Sequence, residues 1–202
     1  SAKSLAIGDI VNNGVLFWIS EDGKTGKVLA GPRGEGMAYC IDKTTATGEG
    51  GTQAAIDREN GKANVAVLKA VDASLDKFPA AQYCDTMSPA GEWYLPAVDE
   101  LTAIFKAYNG IALEGATIDN PGKISSEEKA ARALFDAAVL SLPGGVALNT
   151  KEESATGDSA FSSTETSLDK AYYVRFGKAL CDKANKNGTT RTARCIKVVN
   201  LK

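Results

Sequence analysis
The sequence predicts an α+β fold built around an antiparallel sheet, as a single domain spanning residues 1–202. Three observations predict it. Strand-like runs occupy both ends of the chain and helix-like periodicity occupies the middle, without the regular β–α alternation that a parallel sheet requires. Asp-Gly and Asn-Gly steps separate apolar runs in both strand regions, and glycine takes the positive φ of tight hairpin turns at little cost. With 202 residues and 44% hydrophobic content, the chain can bury one sizeable core.

The amino-terminal runs "GDIV", "VLFWIS" and "KVLA" read as a meander containing Trp18, with "EDGKTG" as a turn. From Gly31 to Gly51 no hydrophobic period survives, which predicts a long surface connection anchored by Tyr39 and Cys40. A first helix is predicted with Asn64 as its cap, Leu68, Val71, Leu75 and Phe78 on one face, and Pro79 as its stop. A second starts at Pro96, carries Asp99 and Glu100 near its positive end, and buries Val98, Leu101, Ile104, Phe105 and Tyr108. Asn109-Gly110 supplies its left-handed stop, and Trp93 and Tyr94 before it read as corner aromatics packed on the sheet rather than as a sugar platform.

A third helix opens on Ser125 and Glu128 at capping-box spacing and runs through Leu134, Phe135, Ala138 and Val139 to about Leu142, where Pro143-Gly144-Gly145 ends it. Residues 149–163 are polar and turn-rich, which predicts an exposed loop. "KAYYVRF", "KALC" and "RTARCIKVV" close the chain as strands, with turns at Gly177 and at Asn187-Gly188.

Composition narrows the chemistry. There is no histidine, which excludes a Ser-His-Asp or Cys-His nucleophile and any imidazole-ligated zinc. A net charge of -2 with scattered Lys and Arg speaks against nucleic acid. The longest apolar run, Val15 to Ile19, is far short of the ~18 residues of a membrane span. "GPRGEG" lacks the Lys-Ser/Thr ending of a phosphate loop, so no catalytic residue, cofactor or metal ligand is assigned. The chain opens on Ser1, and a leader or membrane anchor ahead of it is expected to be missing.

Four cysteines, Cys40, Cys84, Cys181 and Cys195, form no CxxC pair. The Asn-Gly turn between Cys181 and Cys195 favours a bridge across that hairpin, leaving Cys40 with Cys84; four buried thiols are the alternative. The candidate binding residues are Asp158, Ser162, Ser163, Thr164, Glu165 and Asp169, whose hydroxyls and carboxylates suit a sugar or a hard cation. Serines and threonines that satisfy nearby backbone groups are the competing reading. Arg175, Arg191 and Arg194 read either as a small basic patch or as salt-bridge partners of Glu165 and Asp169.

"KANVAVLKA", "FPAAQYC", "GEWYLPAVDELTAIF", "FSSTE", "KAYYVRF" and "RTARCIKVV", in that order from about Asn64 to Val199, resemble a family of bacterial secreted domains with a C-type lectin-like fold. The resemblance implies paired amino- and carboxy-terminal strands, two to three helices outside them, and a long loop region presenting a ligand surface. It implies a non-catalytic extracytoplasmic module, adhesin-like, that recognises a glycan or protein; the alternative is an assembly component of a pilus-like or other surface structure. The Glu-Pro-Asn, Gln-Pro-Asp and Trp-Asn-Asp tripeptides of calcium-dependent sugar-binding lectins do not occur here. Nor does the close cysteine pair of the formylglycine-generating enzymes, which share that fold.

Overall fold
A computed structural model describes residues 4–41, 54–110, 126–148, 159–177 and 180–202. In chain order the elements are β1 (Ile10–Val11), β2 (Gly14–Ile19), β3 (Thr25–Gly34), α1 (Gly61–Val71), α2 (Pro79–Thr86), α3 (Val98–Asn109), α4 (Ser126–Ser141), β4 (Ser159–Glu165), β5 (Lys170–Arg175), β6 (Leu180–Asn185) and β7 (Ala193–Asn200). The strands form two antiparallel sheets, one ordered β1-β2-β3-β7 and the other β4-β5-β6. The α+β architecture with its amino- and carboxy-terminal strands paired is therefore present, with two sheets rather than one and four helices among the described residues. No helix among the described residues is long and apolar enough to cross a membrane.

The pairing of β3 with β7 joins the two ends of the chain. Gly26 faces Val199, Val28 faces Lys197 and Leu29 faces Ile196 before an irregularity shifts the register, after which Arg33 meets Arg194. This is where the predicted surface connection departs from the structure: Gly31 to Gly34 continue β3. Pro32 lies inside the shifted region, where the regular ladder is interrupted and its missing N–H costs no ladder bond. On the other side β2 turns from β1 through Asn12 and Asn13, at φ 46° and 65°, a left-handed pair that asparagine tolerates.

The helical middle also differs at one point. The predicted first helix ends early: Leu75 and Phe78, placed on its face, lie in the turns of residues 72–78 between α1 and α2. Asn60, not Asn64, caps α1 by accepting from the Ala63 N–H, and α1 ends at Val71. Pro79 then begins α2 rather than only ending its predecessor, because a proline at the first helical position loses no backbone bond. α3 matches its sequence pattern and stops at Gly110, at φ 64°. In α4, Phe135 and Val139 are buried while Leu134 is 76% exposed, so only part of the predicted stripe faces the core. Ser125 lies outside the described residues. Ser159 to Ser163, predicted as loop, belong to strand β4, whose seven residues are all buried; the remainder of that loop, 149–158, lies outside the described residues.

The disulfide joins Cys84 of α2 to Cys195 of β7, with Cα atoms 5.3 Å apart. Neither predicted pairing forms. Cys181 lies in β6, opposite Val174 of β5, while Cys195 lies in the other sheet, so the Asn187-Gly188 turn does not fold β6 back onto β7. Cys84 is taken by Cys195, and Cys40, which is buried, and Cys181, which is half-buried, are thiols. The bridge spans 111 residues of chain, so replacing both cysteines (Cys84→Ala with Cys195→Ala) is expected to lower stability by about 4 kcal/mol in denaturant unfolding. Non-reducing peptide mapping is expected to recover Cys84 and Cys195 as a linked pair, with Cys40 and Cys181 alkylated.

Candidate functional site
Four of the six sequence-predicted binding residues come together, and they point into the protein. The Ser162 hydroxyl donates to the Tyr172 carbonyl at 2.9 Å and accepts from the Thr164 N–H. The Ser163 hydroxyl accepts from the Asn64 side-chain amide at 3.2 Å, and its carbonyl accepts from the Tyr39 hydroxyl at 2.9 Å. Thr164 Oγ1 accepts from the Val98 N–H at 3.0 Å and donates to the Asp57 carbonyl at 2.8 Å. Residue 97, which precedes α3, is an alanine without a side-chain acceptor, so a hydroxyl from β4 satisfies the first helical N–H instead.

Glu165 is wholly buried beside Lys186, at 3.0 Å, and its other carboxylate oxygen accepts from the Ala55 N–H at 3.2 Å. Burial, with the Glu165 carboxylate close by, pushes the Tyr39 phenol well above its ordinary range. Asp169 stands apart and nearer solvent; the Ser167 hydroxyl bonded to it holds its carboxyl below the usual carboxylate range. Asp158 lies outside the described residues. Among the described residues no three Asp, Glu, Cys or His side chains gather as a metal site.

The closing arginines have separate tasks. Arg194 is buried and donates to the carbonyls of Gly31 and Ala147, bracing the shifted part of β3. Arg191 lies 3.9 Å from the centre of the Tyr173 ring, and Arg175 is also near that ring, at 5.5 Å.

A groove among the described residues lies elsewhere, at the corner before α3. Trp93 is 2% exposed; its indole N–H donates to the Ser88 carbonyl, and the Lys197 ammonium sits 4.5 Å from the ring centre. Tyr94 is buried with its hydroxyl 2.8 Å from Glu100, and burial followed by that carboxylate raises its pKa far above the ordinary phenol value. Glu100 also accepts from the Gly61 and Ala97 N–H groups and pairs with Lys27 at 2.9 Å, tying α1, the corner, α3 and β3 together. At Gly61 a Cβ would come within 2.4 Å of the Leu95 carbonyl oxygen, so only glycine lets α1 approach the corner.

Tyr94 exchanges both backbone hydrogen bonds with Ile196, on the side of β7 away from β3. Residues 88–92 then diverge from β7 and leave a groove of about 810 Å³, with Lys62, Ser88, Glu92, Val198 and Asn200 among its walls. In an antiparallel ladder successive residues point their N–H and C=O groups to opposite sides. Ile196 points outward to Tyr94 and Leu201 points inward to Lys24, so Val198 and Asn200 point outward, into the groove. Their backbone groups meet no partner among the described residues. The outer edge of β4 is closed by contrast: Phe161 donates to Thr192, Ser163 to Pro96 and Glu165 to Ala55.

Sequence reading did not single out Lys62, Val198 or Asn200. No local pattern marks them: Val198 and Asn200 are the two exposed residues of β7, and that exposure is decided by tertiary neighbours.

No family model matches the chain, and no curated protein does. Among solved structures the chain is similar to a fimbrial protein from Bacteroides ovatus, with 15% identity and a TM-score of 0.42 over 86% of this chain and 35% of that one. The chain thus spans about a third of the length of that protein, and a likeness this distant carries no argument here.

The internal role of the β4 cluster is testable. Glu165→Leu leaves the Lys186 ammonium buried without its carboxylate and is expected to cost about 3–5 kcal/mol. Glu165→Leu combined with Lys186→Met removes both charges and is expected to recover most of that loss, as measured by urea unfolding of both variants and of Lys186→Met alone.

Proposed function
We propose that the domain is a non-catalytic, extracytoplasmic binding module of C-type lectin-like arrangement that recognises a partner protein through the groove beside β7. The observation that carries this reading is the pair of outward-facing backbone positions, Val198 and Asn200, on the wall of the groove beside β7. A groove of mixed polar and apolar lining next to a strand edge unpaired among the described residues suits a polypeptide, which supplies donors and acceptors at matching intervals.

Three further features support it. The Cys84–Cys195 bridge fits an oxidising compartment outside the cytoplasm. The hydroxyls and carboxylates best suited to a sugar, at Ser162, Ser163, Thr164 and Glu165, are committed to internal hydrogen bonds. The joining of β3 to β7 with a separate, smaller sheet beside it accords with the lectin-like arrangement. An open edge also suits a component of a surface assembly, in which case the partner is a neighbouring subunit.

A glycan array on the purified domain, run with and without calcium, separates protein from sugar recognition. The expected result is no saturable binding in either condition. Saturable binding to any glycan class would overturn recognition of protein in favour of sugar.

A further inference from the structure
The geometry points to a specific mode of engagement within that groove: an extended segment of a partner protein adds as a strand to the outer edge of β7, hydrogen-bonding to Val198 and Asn200. The proposal rests on the binding-module reading and deepens it. Beyond Ile196, which Tyr94 occupies, the edge offers one N–H and one C=O at each of two alternate residues, a repeat of roughly 7 Å. An extended backbone reproduces that repeat; a sugar ring or a helix does not.

The side chains around the edge indicate what such a segment carries. Val198 is 51% exposed and offers an apolar contact to a segment lying beside it. Lys62 is exposed on the groove wall and forms no ion pair among the described residues, so a carboxylate on the segment meets an unneutralised ammonium. The groove's other lysine, Lys197, lies down over Trp93, 4.5 Å from its ring centre, and reaches Glu92 at 3.4 Å. It therefore does not guard the edge in the way that edge lysines commonly block strand addition. Among the described residues, the outer edge of β4 is closed by other parts of the chain and this stretch of β7 is not.

The test is selection of a displayed library of random heptapeptides on the intact domain, followed by calorimetry with the enriched peptides. Val198→Pro removes the outward N–H while the bonds from β7 to β3, made by Lys197 and Val199, stay in place, and proline is tolerated at such edge positions. Val198→Thr keeps both the N–H and the β-branched shape. Enriched peptides carrying an acidic residue are expected, with affinity lowered about tenfold or more by Val198→Pro and little changed by Val198→Thr. Should Val198→Pro not fold, N-methylation of the enriched peptide, residue by residue, gives the same answer on the wild-type domain. Strand addition predicts that methylating alternate amides abolishes binding and that methylating the intervening ones does not.

Three results would overturn the proposal. One is no enrichment above an unrelated control protein. Another is peptide binding indifferent both to Val198→Pro and to N-methylation, which moves the site elsewhere and leaves the binding-module reading standing. The third is a concentration-dependent dimer abolished by Val198→Pro, which makes a second copy of this chain the occupant.

Discussion
The antiparallel pairing of β3 with β7 is the constraint on which the rest of the molecule depends. It binds residues near position 30 to residues near position 195, and everything between must leave from one side of that seam and return to it. Such a long closure carries an entropic penalty that grows slowly with loop length, and the Cys84–Cys195 bridge removes much of it by constraining the unfolded chain. The bridge also fixes α2 against β7. Tyr94 then takes the first outward position on β7, and the chain turns away before it fills the next two.

Buried polar groups do the remaining bracing, and they explain why residues suited to a ligand are absent from a ligand surface. Glu100 accepts hydrogen bonds from two backbone amides and a tyrosine and pairs with Lys27, so a carboxylate of 3% exposure has a partner for each oxygen. Thr164 supplies the acceptor that α3 lacks at its own amino terminus. Glu165 and Lys186 neutralise each other out of reach of solvent. Buried charges of this kind give stability only as complete sets, since removing one partner leaves the other desolvated and unpaired.

The elements with strong local signals were legible in the sequence. α3 is readable from Pro96 to Gly110 because its cap region, apolar stripe and left-handed stop all agree, and the closing strands are readable from their β-branched and aromatic runs. What failed was decided by tertiary contacts. β4 reads "SAFSSTE" and resembles a loop, since the Ser163 and Thr164 hydroxyls are satisfied by residues 66 to 107 positions away that no local pattern reveals. The Cys84–Cys195 bridge is not legible locally because a good hairpin turn at Asn187-Gly188 does not say which sheet the next strand joins. The groove was invisible for the same reason: whether an edge is open depends on which neighbours the fold supplies.

The seam therefore does two things, closing the chain on its inner side and presenting, among the described residues, unpaired backbone on its outer side. Residue-resolved amide hydrogen exchange of the unliganded domain tests this most directly. The account predicts alternation along β7: slow exchange at Ile196, Lys197, Val199 and Leu201, and fast exchange at Val198 and Asn200. Uniform protection through Val198 and Asn200 would mean that another part of the chain already covers the edge, and would contradict the account.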